Sequence, residues 1–183
     1  MGASISCVIP TIGRPTLPAA IASALEQFDE VIVISDGVDI NWATMPAGAT
    51  CITLGRAHGN FGAVARNTGA YLTRSDWMAQ LDDDDEWTPD AVQIISAAIS
   101  RRPDVDVWLP GLALNNGAHI CIEPGLRVGN VAMPITRPAT YWVTPYRAVH
   151  ATADAIDFGH IEQLEQDGHT LGWIGQPIYL VRP

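Results

Sequence analysis

The chain predicts an α/β protein with a mostly parallel central sheet flanked by helices, and three observations carry that expectation. Short apolar runs rich in β-branched residues recur through the first half, interleaved with segments of helical periodicity. Polar and glycine-bearing stretches follow such runs directly, as they do where the strands of an open parallel sheet end. At 183 residues, 48% hydrophobic and 16% charged, the composition is that of one globular domain with a sizeable core, expected to span residues 1–183.

The elements follow in order. SISCVIP, Ser4 to Pro10, is a buried strand stopped by proline. Thr16 is placed to cap a helix whose apolar face is Leu17, Ile21, Leu25 and Phe28. EVIVIS, Glu30 to Ser35, is a second buried strand, halted at Asp36-Gly37, and ATCITL, Ala49 to Leu54, is a third. The loop GRAHGN, Gly55 to Asn60, leads into a helix from about Phe61 to Arg74. WMAQL, Trp77 to Leu81, is a fourth strand with four aspartates, Asp82 to Asp85, at its end. Thr88-Pro89-Asp90 opens a helix with apolar positions Val92, Ile95 and Ile99, which stops before Pro103.

Beyond Val105 the pattern loosens. Asn115-Asn116-Gly117 reads as a hairpin turn between Leu112–Leu114 and His119–Ile122. ATYWV, Ala139 to Val143, is a strand candidate, and a last helix runs from about Asp157 to Gln166 with Gly168 placed to end it. TLGWIG and PIYLV complete the set as short strands.

Composition excludes several functions. The net charge of −10 argues against a generic nucleic-acid or membrane-surface binder, because both partners are anionic. All ten basic residues are arginine, which removes a phosphate-loop lysine and any lysine nucleophile or Schiff base. Cys7, Cys51 and Cys121 stand apart among apolar neighbours, so buried thiols fit better than a disulfide framework or a zinc site. With no signal-peptide pattern and no membrane-spanning apolar run, the expectation is a soluble, cytoplasmic protein.

Four successive carboxylates repel one another and need water or a cation to offset the cost. On an extended strand alternate side chains share a face, so Asp82 and Asp84 are expected to point together at one ion. A pair of carboxylates with positions left open suits Mg²⁺ or Mn²⁺. An acidic turn ahead of a helix N-terminus is the plainer alternative, although it accounts for one or two acids better than four. An EF-hand fails, since Trp87 and Gln93 stand where its sixth and twelfth positions need glycine and glutamate.

Together the stretches CVIPTIGRPTLPAAIASALEQ, EVIVISDG and GNFGAVARNTGAYLTRSDWMAQLDDDDEW resemble a family 2 glycosyltransferase of the GT-A fold. The resemblance implies a nucleotide-diphosphate sugar donor, UDP-sugar favoured, and a divalent cation, Mn²⁺ or Mg²⁺, held by an Asp-x-Asp motif. Carried over residue by residue, Pro10 and Thr11 begin the nucleotide pocket, Asp36 matches the acid that binds the base, and Arg66 and Asn67 match an Arg-Asn pair beside the nucleotide. Asp82 and Asp84 match the Asp-x-Asp, with Asp84 as direct metal ligand and Asp82 nearer the ribose; Asp83 between them is grouped with the nucleotide contacts. The residues alone leave plainer readings open: an Asp-Gly turn for Asp36 and a helix-face ion pair for Arg66. Residues of about 1–106 would then form the nucleotide-sugar and metal half, and about 107–183 the acceptor half.

In the second half AIDFGHIEQLEQDGHTLGWIG resembles the family's late helix, which opens on a Glu-Asp pair whose aspartate is the general base. Asp157 falls on that aspartate, Ile156 replaces the glutamate, and Asp154 is a nearby rival; a simple helix cap is the alternative for Asp157. From Val107 to Ala153, Arg127, Arg137 and Arg147 with Tyr141, Trp142 and Tyr146 make a mildly basic, aromatic stretch. It suits a saccharide or other hydroxyl acceptor, a hydroxylated DNA base as alternative acceptor, or solvated arginines with no binding role. Two other classes compete: a catalytically inactive donor-binding module, and a sugar-phosphate nucleotidyltransferase, which the lysine-free TIGRPT loop disfavours.

Overall fold

The computed structural model describes residues 2–120, 134–146 and 156–182. Its elements in chain order are β1 (Ile5–Thr11), α1 (Leu17–Leu25), β2 (Glu30–Ser35), β3 (Thr50–Thr53), α2 (Ala63–Leu72), β4 (Trp77–Gln80), β5 (Glu86–Trp87) and α3 (Ala91–Arg101). There follow β6 (Val107–Leu114), β7 (His119–Ile120), β8 (Ile135–Thr136), α4 (Pro138–Val143), α5 (Ile156–Gln166) and β9 (Leu171–Val181). The strands form one mixed sheet in the order β3-β2-β1-β4-β8-β6-β9-β5, with β7 added to β6. Its first half is parallel, β3, β2, β1 and β4 all running the same way. β8 is antiparallel to both β4 and β6, so β6 and its parallel partner β9 again point with β1.

Both faces of the sheet are covered, which is why the central strands are apolar throughout rather than alternating. Every residue of β1 is buried. Ile5, Cys7 and Ile9 face a core shared with Leu17 and Ile21 of α1 and Ile95 of α3, while Val8 faces Ala65 and Ala70 of α2 and Tyr141 of α4. Each fully buried aliphatic side chain of this kind contributes about 1.5–3 kcal/mol. Helix α2 lies especially close to the sheet: a Cβ on Gly69 would stand 2.2 Å from Val8 Cγ1.

Three expectations change. Ala139–Val143 is helical, within α4: Pro138 occupies the first turn, where its missing N–H costs nothing, and Thr140 and Tyr141 bury their side chains. β-propensity there yields to packing. TLGWIG and PIYLV form one strand, β9, whose pairing with β6 is irregular near Gly111. The helix expected from Phe61 starts at Ala63, because Asn60–Gly62 forms a 3-10 turn with Phe61 at φ 52°. Cys7 is buried beneath Trp87, whose Nε1–H points at its sulfur from 3.3 Å, and burial pushes the thiol up to about 12. Cys51 is half-buried with a free thiol, and Cys121 lies outside the described residues.

Candidate active site

The carboxyl ends of β1, β2 and β4 open on a cleft of about 320 Å³. Its walls include Pro10, Thr11, Asp36, Arg66, Asp82 and Asp83, the six nucleotide-side residues expected from sequence, together with Arg14 and Phe61. The topology brings them together, since loops after neighbouring parallel strands share one edge of the sheet.

Asp36 is buried at the end of β2 and accepts the amides of His58 (2.9 Å) and Gly59 (2.7 Å) from the loop that crosses above it. Gly37 permits this crossing. Its φ is +74°, and a Cβ there would stand 2.0 Å from the amide nitrogen of Ala57. The loop then passes through left-handed backbone at Asn60 and Phe61, leaving the Phe61 ring exposed on the cleft wall. Gly62 rests on Pro10, its virtual Cβ 3.2 Å from Pro10 Cβ.

Arg66, at the end of the first turn of α2, is buried and locked in place. Its guanidinium donates to Phe61 O (3.3 Å), Gln80 Oε1 (3.0 Å) and Asp82 Oδ1 (2.5 Å), and lies over the Tyr146 ring at 5.5 Å. Asn67 takes another course. Its amide exchanges two 2.9 Å bonds with the backbone of Tyr146, so it anchors the segment after α4.

The four aspartates do not continue the strand. Asp83 and Asp84 form a turn in which Asp85 N–H donates to Asp82 O at 3.2 Å, so strand alternation is not what sorts the side chains. Asp83 turns inward with its side chain 4% exposed, accepting from Thr11 Oγ1 (2.5 Å), Ile12 N (3.2 Å) and Arg14 Nη1 (2.6 Å). Asp82 and Asp84, at 40% and 36%, stay open. Carboxylate oxygens of Asp82, Asp84 and Asp85 all lie within 4.8 Å of one another. This all-oxygen donor set fits a hard divalent ion.

Charge crowding leaves its mark on these groups. Burial raises the Asp84 carboxyl above its usual range, Arg14 opposes the shift, and Asp82 and Asp83 reinforce it. Burial pushes Asp85 up to about 7, against the bond it accepts from Arg182 N at 2.9 Å. Asp85 was not among the expected ligands, although it ends the same acidic run. Tyr179 of β9 had no local signal at all: from 97 positions away its hydroxyl accepts the Asp82 amide at 2.9 Å and also bonds Asp85.

Among the described residues of the second half, the aromatic and arginine candidates are engaged away from the cleft or in the core. Tyr141 and Tyr146 are core residues, Trp142 stacks on Tyr71 at 6.3 Å, and Arg137 covers the Trp77 ring at 4.6 Å, at the opposite end of β4. Arg127, Arg147 and Asp154 lie outside the described residues. Asp157 is the second residue of α5, its side chain outside the described part. His160, a turn later, is buried against Tyr141 and Tyr146, its Nε2 without a hydrogen-bond partner.

The family described as "Glycosyl transferase family 2" matches residues 6–116, more than half of the chain and all of the acidic loop. The chain belongs to glycosyl transferase family 2. Over 107 residues it is 28% identical to an uncharacterized glycosyltransferase of Haemophilus influenzae, covering 56% of this chain and 36% of that one. Among solved structures, S. aureus TarS 1–349 in complex with UDP-GlcNAc superposes with a TM-score of 0.73 at 14% identity, over 97% of this chain and 58% of that one. Full TarS gives 0.71 at 14% identity over 98% and 37%. At that identity the likeness speaks for the fold, which is GT-A. This member of the family therefore spans little more than a third of its curated relative's length. Among the described residues, no helix is long and apolar enough to cross a membrane.

Proposed function

We propose that this chain is a metal-dependent glycosyltransferase that moves a hexosyl group from a nucleotide-diphosphate sugar, UDP-sugar favoured, to a hydroxyl acceptor with inversion. The observation that carries the reading is the single cleft that joins Asp36, Arg66 and the acidic turn at the strand ends. The family match and the GT-A likeness to a protein solved with UDP-GlcNAc support it.

In this reading the base lies between Pro10 and the exposed Phe61 ring. Asp36 keeps an acceptor lone pair on each oxygen for a base N–H, while its bonds to His58 and Gly59 hold it in position. Asp82 meets the ribose and, with Asp84, would hold the metal; an oxygen of Asp85 lies within 4.8 Å of theirs. A divalent ion held there, Mn²⁺ or Mg²⁺, would supply positive charge to the departing diphosphate. Arg66 adds fixed positive charge beside it, and costs no reorganisation because four groups already hold it. Asp83 and Thr11 act through the loop they pin, from under the nucleotide. Asp157 accepts the acceptor hydroxyl's proton as that oxygen bonds to the anomeric carbon, and the bond to the diphosphate oxygen breaks on the opposite face. The nucleoside diphosphate leaves with the electron pair.

Calorimetric titration of UDP with and without Mn²⁺, with GDP as control, tests the donor site. Metal-dependent UDP binding is expected; binding of neither nucleotide under either condition would remove the reading. Asp157→Asn is expected to keep donor binding and lose transfer, slow donor hydrolysis included. A native chain that binds UDP but never hydrolyses a donor would instead be an inactive binding module.

A further inference from the structure

Among the described residues two arginines meet the open aspartates, and they are held very differently. Arg66 is buried and engaged by three acceptors, so its pairing with Asp82 is fixed. Arg14 stands 44% exposed on the cleft wall, and among the described residues its polar contacts run through one nitrogen, Nη1: 2.6 Å to Asp83 Oδ1 and 3.1 Å to Asp84 Oδ2. The Asp83 contact is one of three onto a buried carboxylate. The Asp84 contact is longer and reaches a carboxylate that is also part of the acidic triad. A divalent ion and Arg14 therefore draw on the same carboxylate, that of Asp84. A guanidinium carries five N–H donors in a planar fork, and Nη2 and Nε are available for a second anion without Nη1 leaving Asp83.

We infer that Arg14 is an internal counter-cation of the acidic turn, which competes with the divalent ion for Asp84 and turns to the donor's diphosphate when the ion takes that carboxylate. The inference rests on the donor-site reading above and adds a direction of coupling to it. Before the diphosphate arrives, Arg14 opposes metal binding, because the ion must take over a carboxylate that is already neutralised. Once it arrives, the displaced guanidinium has a new anionic partner, so ion and nucleotide bind with positive cooperativity. The coupling is reciprocal: the factor by which UDP tightens Mn²⁺ equals the factor by which Mn²⁺ tightens UDP.

The test is calorimetry on the native chain, Arg14→Gln and Arg14→Lys, each titrated with Mn²⁺ alone, with UDP alone, and with UDP at saturating Mn²⁺. Arg14→Gln is expected to bind Mn²⁺ alone about three- to tenfold more tightly, and UDP at saturating Mn²⁺ on the order of tenfold more weakly, so that the coupling factor shrinks from both ends. Arg14→Lys keeps the charge but loses the fork. It should bind Mn²⁺ alone as the native chain does and still show reduced coupling, and it carries the test if the glutamine variant melts early. Unchanged or weaker Mn²⁺ binding by Arg14→Gln, or coupling at the native level in both variants, would overturn the role of Arg14 while native UDP binding left the donor site standing. A native chain that binds no UDP in Mn²⁺ overturns both.

Discussion

Asp83 is enclosed by Thr11, Ile12 and Arg14, while the next carboxylate, Asp84, stays a third exposed beside the cleft. Identical side chains one position apart thus sit in different settings, the first closed in by three donors and the second open to an ion in the proposed reading. Asp83→Asn removes the charge from three donors that converge on it, and is expected to cost about 1–3 kcal/mol in urea unfolding. Asp84→Asn should stay within about 0.5 kcal/mol of native stability and yet abolish the Mn²⁺ dependence of UDP binding. The reverse pattern, with Asp84 stabilising and Asp83 controlling the metal response, would exchange their roles. The sequence shows four equal aspartates; the turn at Asp83-Asp84 separates them.

Among the elements, α5 carries a residue with a clear thermodynamic signature. His160 is buried between Tyr141 and Tyr146, and burial, helped by the nearby charges of Arg66 and His169, lowers its pKa from 6.5 to about 4. The unfolded chain therefore binds more protons than the folded one between these values. Its contribution to stability is intact above pH 6.5 and falls as pH drops towards 4. Thermal melts across this range should show that decline, and His160→Phe, which leaves no group to protonate, should flatten it. An unchanged acid limb would assign the decline to other groups. Gly69 lets helix α2 sit against Val8, and the same helix carries Arg66 to Gln80 and Asp82.

Across the whole molecule, the two halves of the sheet meet at the acidic turn. β9 returns parallel to β6 and delivers Tyr179 to Asp82 and Asp85, while Arg182 N–H caps Asp85 and its guanidinium pairs with Glu86 at 2.6 Å. The far end of the chain thereby shapes the loop that follows β4. Tyr179→Phe keeps the ring packed on Trp87, 5.3 Å away, and removes one hydroxyl. It is expected to cost about 1 kcal/mol of stability and to weaken Mn²⁺-dependent UDP binding severalfold more than metal-independent binding. Equal losses in both would make Tyr179 a purely structural group.

Much of the architecture is written in short-range pattern. β1, β2 and β4 are apolar on both faces because they lie beneath helices on both sides, and their ends are marked by Pro10-Thr11, Asp36-Gly37 and the aspartates. Parallel strands bring such ends to one edge, so the presence of Asp36 and Asp82 on a single cleft follows from sequence order. Other features needed the tertiary structure. Ala139–Val143 carries strand-forming residues yet is helical, because Pro138 starts a turn and Tyr141 has a core to fill. Asn67 adjoins Arg66 but faces Tyr146, and Arg137 is spent on Trp77. Arg14 and Tyr179 join the site through contacts made across 69 to 97 positions. Local propensity and periodicity report which face of an element is buried; they carry no record of which distant side chain will meet it, and that is decided when the sheet closes.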